Sequence, residues 1–257
     1  MNKVKAMLSK VNSKGNSNPL LFRPAAGENK IRIVPLEANP ENPFQILQFH
    51  YLGNKTYLSP LTYGKPDPIA EFKDALLSEG RLSVEEFKKA MQFAPSPRTY
   101  LPVVERGKEK DGIKYWAFGK KTCDQIEGFF VNPEYGDLSD IVTGVDITIN
   151  FTPKEQSATK FAETSLVVSR KSTPLSDDPA IVKLLTTNQP DLVDSFEKYS
   201  YEQLKSVLDA YVNSLAAAAA AAGESTTNET SPVVKSEEEV SAAVAATDKE
   251  FDDVFNS

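Results

Sequence analysis

The sequence contains one cysteine, Cys123, and one histidine, His50. A lone cysteine cannot form a disulfide within the chain, and these two residues cannot supply the ligand set of a structural zinc site. The shortage of histidine also argues against Cys-His or Ser-His catalysis. No apolar run approaches the roughly 18 to 20 residues that span a bilayer, and the first residues lack the apolar core of a signal peptide. We therefore expect a soluble intracellular protein without a metal or other cofactor.

Charge is distributed unevenly along the chain, although the net charge is −7. Residues 1–121 carry 20 Lys and Arg against 12 Asp and Glu, whereas residues 216–257 carry 2 against 9. A basic front and an acidic end are typical of a protein whose surface meets a polyanion. Chance clustering of charges is the alternative explanation.

Strand periodicity dominates the middle of the chain. The segment "NKIRIVPL" (29–36) alternates apolar and basic residues, and segments 43–61, 98–105, 113–118, 144–152 and 161–170 also read as short strands bounded by turn signals. A small closed barrel buries such strands without leaving long open edges. The predicted fold is therefore mainly β with α, an oligonucleotide/oligosaccharide-binding (OB) type of barrel.

Helix signals interrupt and follow these strands. Asp67 before Pro68 and the capping box of Ser83 with Glu86 predict an inserted helical pair in residues 66–94. Residues 121–130 have helical spacing, and two C-terminal helices are predicted to start near Asp178 and near the Ser200 capping box.

Three regions follow from these patterns. Residues 1–18 are polar and lysine-rich, which predicts a flexible basic arm; residues 19–215 form the barrel core with its insertion; residues 216–257 form an alanine-rich exit and an acidic tail. The tail has too little apolar surface to offset its ordering entropy, so we expect disorder. Its end, "DKEFDDVFNS", is predicted to bind a partner as a short amphipathic peptide through Phe251, Asp252, Asp253, Val254 and Phe255.

The stretch "IKYWAFGKK" (113–121) combines aromatic rings with cations. In a strand Lys114, Trp116 and Phe118 share one face, and we predict that this face is exposed. Each exposed ring would stack a base for about 1–3 kcal/mol, while lysines neutralise phosphates. The alternative is that Trp116 and Phe118 fill the core and the lysines are merely solvated.

This stretch resembles a segment of the T-even-type phage single-stranded DNA-binding proteins, which ends in aromatic-x-Phe-Gly-Lys-Lys before a helix. Further segments are similar to segments of the family and occur in the same order along the chain. The similarity covers residues 20–215, and the tail is also similar in character. The similar segments are "ENKIRIVPLEANPENPFQILQFHY", "RTYLPVVER", "FAETSLVVSRKSTPL" and "SYEQLKSVLDAYVNSL".

The resemblance implies a protein that coats single-stranded DNA during phage replication, recombination and repair, in the cytoplasm of an infected host, and that catalyses no reaction. The tail would recruit replication and recombination proteins. Basic arm residues Lys3, Lys5 and Lys10 would support self-association along DNA. The resemblance and the residue patterns together imply a set of residues that bind DNA. These residues are Arg32, Tyr51, Tyr57, Arg98, Tyr100, Arg106, Lys114, Trp116, Phe118, Lys120 and Lys121.

The chain also departs from the family. The region before the helical pair lacks the family's zinc-binding cysteines and histidine, so we expect the insertion to be held by apolar packing of Ile69, Phe72, Leu76 and Phe87. Ala117 stands where the family commonly has a basic residue.

Two other functions compete with DNA binding. One is a phage structural or assembly protein that binds a protein partner through the acidic tail. The other is a nuclease, for which "GDLSD" (136–140) and "SDD" (176–178) offer acidic pairs, although no histidine or lysine accompanies them in a recognisable motif.

Overall fold

A computed structural model describes residues 18–78, 80 and 82–223. Its strands are β1 (Leu21–Phe22), β2 (Gly27–Ile33), β3 (Gln45–Leu52), β4 (Lys55–Leu58), β5 (Ser96–Glu105), β6 (Lys114–Phe118), β7 (Val145–Thr152) and β8 (Glu163–Ser172). Its α-helices are α1 (Pro68–Ser78), α2 (Val84–Met91), α3 (Lys120–Phe130), α4 (Pro179–Thr186) and α5 (Tyr201–Gly223). The fold is thus a mixture of sheet and helices rather than mainly β.

The described chain divides into two compact units. The first contains residues 18–46 and 98–195, and the second contains residues 47–97 and 196–223. Residues 19–215, treated as one core in the sequence prediction, therefore fall into both units.

The first unit is built on one sheet with the strand order β1-β6-β5-β2-β7-β8. Short β1 runs parallel to β6, and the other neighbours are antiparallel. Among the described residues this sheet is open, with β1 and β8 at its two edges. A closed barrel is consequently not established, and the OB-type architecture stays a proposal.

One side of this sheet carries the hydrophobic core of the first unit. Strand register places Ile31 opposite Ile147 and Leu101 opposite Trp116, and directly opposed residues of antiparallel strands point to the same side. Helix α3 contributes Ile126 to the same cluster. The predicted helical spacing of residues 121–130 is confirmed, because this helix buries its apolar stripe there.

The second unit combines the β3–β4 hairpin with α1, α2 and α5. The hairpin turns at Gly53, whose φ of 62° is a conformation that glycine adopts without strain. The predicted capping box of Ser83 and Glu86 is present at the start of α2. Leu204 and Leu208 of α5 join the same core cluster as Ile69, and Phe72 and Leu76 pack against it. Helix α1 is therefore packed by the apolar residues that the sequence predicts, whereas Phe87 of α2 is half-buried and is not part of this cluster.

No helix in residues 18–78 and 82–223 is long and apolar enough to cross a membrane.

Candidate nucleic-acid interface

The rings of β6 are not exposed. Trp116 and Phe118 are only 2% and 4% exposed, and their ring centroids lie 4.8 Å apart inside the core cluster that includes Ile126. The prediction of an open stacking face was therefore wrong. The alternation of residues in β6 correctly indicated that Trp116 and Phe118 share a side of the strand. Helix α3 covers that side, so both rings are buried. Lys114, at the start of the strand, is half-buried opposite Val103.

The other side of β6 and β5 is buried as well. The hydroxyl of Tyr115 donates to the backbone carbonyl of Pro190 at 2.8 Å, and burial, with the nearby Asp191 charge, raises the pKa of Tyr115 to about 12. Tyr100 has no exposed surface, and burial raises its pKa too. Tyr100 thus cannot stack a base in this conformation, and the prediction for it was wrong.

Arg32 is a buried structural cation rather than a phosphate ligand. Its Nη2 donates to the backbone carbonyl of Asp140, and its guanidinium lies directly against Gly144. Burial, and secondarily the charge of Arg106, lowers its pKa to about 10, while nearby carboxylates including Asp146 act in the opposite direction. A side chain without solvent exposure cannot reach DNA, which corrects its predicted role.

Arg106 also has a structural role, because its guanidinium is bonded within the first unit. Its guanidinium donates to Asp146 Oδ1 at 2.7 Å and to the backbone carbonyls of Pro174 and Leu175 at 2.9 and 2.7 Å. Lys30 lies 3.2 Å from the other oxygen of Asp146. Burial acts to raise the pKa of Asp146, but these two cations together hold it below its usual value. Arg106 therefore ties β5 to the segment after β8.

Three further residues of the predicted DNA-binding set present neither an exposed aromatic ring nor an exposed cation. Arg98 is buried. In the second unit Tyr57 is buried edge-on against Tyr199, with ring centroids 5.3 Å apart, and Tyr51 is half-buried. The predicted exposure of Arg98 and Tyr57 was wrong because each lies inside a packed unit.

Lys120 and Lys121 are the predicted cations that do reach solvent. The Lys120 side chain is 77% exposed and lies 3.2 Å from Asp124 one helical turn on, and Lys121 is exposed beside it. An exposed pair such as Lys120–Asp124 is worth little, about 0.3–0.5 kcal/mol, so Lys120 can exchange it for another anion.

A groove of about 430 Å³ opens where β6 meets α3. One wall runs from Trp116 to Gly119 and continues to Lys121, Thr122 and Gln125; the facing wall comes from the end of β7 and residues 162–165 at the start of β8. Strand β6 lies near one edge of the sheet and β8 forms the other edge. Because both line one groove, the sheet of the first unit must curl strongly.

The first turn of α3 forms part of this groove, because Gly119, Lys121 and Thr122 line it. Gly119 is the N-cap residue, and no side chain caps the helix there. The first N–H groups of a helix lack partners within the helix, and the helix dipole makes that end attractive to anions. With Lys121 in the same wall, this end of the groove suits a phosphate group.

A carboxylate occupies the facing wall. Glu163 Oε1 accepts hydrogen bonds from the hydroxyls of Ser157 and Thr159, both at 2.7 Å. These two bonds, with the charge of Lys121, hold the pKa of Glu163 below its usual value. The groove thus presents a cation and an ionised carboxylate on opposite walls.

Sequence reasoning missed the β7–β8 side of the groove. Its residues are mostly Asn, Thr and Ser, which carry no charge pattern, and they lie roughly 30 to 50 positions after β6 in the chain. Phe161 was also missed: it is 47% exposed and directly precedes Ala162 of the groove wall. An aromatic residue that follows a polar turn was the only available signal for it.

The remaining predicted residues lie outside the described part of the chain. They are arm residues Lys3, Lys5 and Lys10 and tail residues Phe251, Asp252, Asp253, Val254 and Phe255. Among the residues that are described, no group of three or more His, Cys, Asp or Glu side chains could hold a metal ion.

The chain matches no protein-family model and no curated protein.

Proposed function

We propose that the chain binds single-stranded DNA without strong sequence preference, in the groove between α3 and the start of β8. The observation that carries this proposal is the position of the Phe-Gly-Lys-Lys stretch. Gly119 and Lys121 line the groove where the uncapped start of α3 and an exposed lysine meet. This is also the stretch in which the sequence resembles phage single-stranded DNA-binding proteins.

Phosphate contacts, rather than the rings of β6, supply most of the proposed binding. A DNA phosphate fits the backbone N–H groups at the start of α3 and the ammonium groups of Lys120 and Lys121. Phe161, beside the facing wall, is the exposed ring best placed to stack a base. Such binding does not depend on sequence, because every nucleotide has a phosphate and a flat base.

The wider role rests on the resemblance. A protein of this kind coats single strands during phage replication, recombination and repair in the infected cell's cytoplasm, with an OB-type core. The acidic end of the chain recruits replication and recombination proteins, and the basic arm supports self-association along DNA.

A binding titration tests the proposal. A fluorescein-labelled thymidine oligonucleotide is titrated with the full chain at two salt concentrations, and binding is followed by anisotropy. We expect affinity to fall as salt rises, because each phosphate contact releases counterions. Lys121→Ala should weaken binding and flatten its salt dependence, whereas Lys110→Ala, an equal charge change at an exposed residue outside the groove wall, should change affinity much less.

Failure to bind at either salt concentration would contradict the proposal. It would favour the alternative of a phage structural or assembly protein that binds a protein partner through its acidic tail.

A further inference from the structure

The second unit places two lysine ammonium groups beside one aromatic ring. The Nζ atom of Lys65 lies 5.8 Å from the centroid of the Tyr63 ring, and the Nζ atom of Lys198 lies 5.7 Å from the same centroid. Both lysines are exposed, whereas Tyr63 is half-buried. All three residues belong to the second unit, so they lie outside the groove, whose lining belongs to the first unit.

Local structure brings Lys65 to the ring. Residues Pro60–Tyr63 form a short 3-10 helix that ends at Gly64. The backbone N–H of Lys65 then donates to the carbonyl of Pro60 at 3.0 Å, so the chain folds back at this point. Lys198 comes from the segment just before α5, and the packing of that helix onto the core of the unit carries it to the same ring.

Two cations held beside one ring suit an anionic ligand. An aromatic ring attracts an ammonium group that lies within about 6 Å of its centroid, but the two ammonium groups repel each other. An anion that contacts both of them relieves this repulsion. Burial outweighs the effect of the Lys198 charge and raises the pKa of Tyr63, so its hydroxyl stays neutral and adds no negative charge to the site.

The carboxylates near this site have partners of their own. Asp67, whose charge also acts on the tyrosine, is buried and hydrogen-bonded within the second unit. Glu197 accepts a hydrogen bond from the hydroxyl of Tyr199 at 2.6 Å. Within residues 18–78 and 82–223, Lys65 forms no ion pair. A phosphate therefore does not have to displace a carboxylate from Lys65.

We propose that Tyr63, Lys65 and Lys198 form a second phosphate-binding site for single-stranded DNA. The inference rests on the proposed function, because it adds a contact to the same ligand. The two lysines hold one backbone phosphate, and Tyr63 is a positioning residue that keeps them together. Such a contact carries no sequence information, so it agrees with binding without strong sequence preference.

The experiment measures how the affinity of the full chain for a fluorescein-labelled thymidine oligonucleotide depends on salt, by anisotropy. A protein that neutralises one phosphate fewer on a single strand loses about 0.7 from the slope of log affinity against log salt. The double variant Lys65→Ala, Lys198→Ala should show this loss of slope and weaker binding. Lys65→Arg with Lys198→Arg should keep the wild-type slope, because arginine also binds phosphate and stacks on aromatic rings.

Matched variants separate the site from the net charge. Lys88→Ala with Lys89→Ala removes the same charge from two exposed residues of α2 in the same unit, and it should leave the slope unchanged. Tyr63→Leu keeps every charge but removes the ring, so it should lower the slope as the lysine variant does. Tyr63→Phe keeps the ring and should bind like the wild type. Far-UV circular dichroism checks that each variant is folded.

The outcomes distinguish this site from the groove. An unchanged slope in the Lys65 and Lys198 alanine variant would refute the site, and so would an equal loss of slope in the Lys88 and Lys89 variant. If the slope falls in the first of these variants while Lys121→Ala has no effect, the site is supported and the groove is rejected as the place of binding. Failure of the wild type to bind would reject the proposed function and this site with it.

Discussion

The Nε2 atom of His50 lies 2.7 Å from Oδ2 of Asp67, and both side chains are fully buried. Ser59 donates to the same carboxylate oxygen. The other oxygen accepts from the backbone N–H groups of Ile69 and Ala70, at 2.9 and 3.2 Å, and so caps the start of α1. One carboxylate thus links strand β3, the segment after β4 and the first helix of the second unit. Apolar packing was expected to hold this helical pair alone, and a buried polar network accompanies it.

Replacing Asp67 by alanine should destabilise the second unit. The change removes the helix cap and leaves buried donors on Ser59 and His50 without an acceptor, which together cost about 2–4 kcal/mol. Far-UV circular dichroism during urea unfolding measures this loss, because most of the second unit is helical. Asp74→Ala is the matched control: its side chain is largely exposed and only pairs with neighbouring Lys73, so its effect should stay within about 1 kcal/mol. Equal effects of the two substitutions would count against the network.

Gly144 is required by the position of Arg32. A Cβ atom at residue 144 would collide with the Arg32 guanidinium and would lie 2.6 and 2.7 Å from the backbone oxygens of Asp140 and Leu138. Backbone atoms cannot yield as a flexible side chain can, so we expect Gly144→Ala to lower the free energy of unfolding by about 1–3 kcal/mol. Fluorescence of Trp116, the single tryptophan of the chain and part of the first unit, reports the transition.

The control for this substitution is Gly128→Ala in α3. An added Cβ atom there meets nothing within 4 Å, and alanine stabilises a helix interior by roughly 0.5–1 kcal/mol relative to glycine. The two glycine substitutions should therefore change stability in opposite directions. A neutral Gly144→Ala would show that Arg32 and the loop before β7 can rearrange freely.

Local sequence signals predicted much of the secondary structure. The capping pair Ser200–Gln203 forms both of its expected hydrogen bonds, and Asp178 caps α4 by accepting from Ala180. These features depend on residues two or three positions apart, so the sequence contains all the information they require. The helix starts were predicted correctly for that reason.

The candidate site was predicted less well because exposure depends on distant parts of the chain. Alternation grouped Trp116 with Phe118 correctly, but it could not show that α3 would cover that side of the sheet. The sequence likewise gave no sign that Pro190 would accept the hydroxyl of Tyr115, or that carboxylates would surround Arg32. Lys120 and Lys121 were placed correctly at the surface, since a charged pair at the first turn of a helix has little to bury it.

Arg106 should matter for stability more than for DNA contact. Removing it leaves the largely buried Asp146 without its main partner and frees the carbonyls of Pro174 and Leu175, so Arg106→Ala should cost about 2–4 kcal/mol. Urea unfolding followed by Trp116 fluorescence measures this loss of stability. Lys108→Ala is the control, because Lys108 is exposed and its surface pair with Glu105 contributes little to stability. Loss of oligonucleotide binding without any loss of stability would restore Arg106 as a phosphate ligand.

Asp146 should make the first unit sensitive to acid. Its pKa in the folded chain is depressed, because Arg106 and Lys30 outweigh the effect of burial, whereas in the unfolded chain it is about 3.9. A depressed folded pKa contributes stability that is fully present above about pH 5 and is lost as pH falls through the folded pKa. Wild type should thus be more stable than Asp146→Asn near neutral pH, and the difference should narrow steadily below about pH 4. Parallel urea titrations of both proteins by Trp116 fluorescence measure this difference in stability. If the difference stays constant into the acid range, the two cations do not stabilise the ionised form of Asp146.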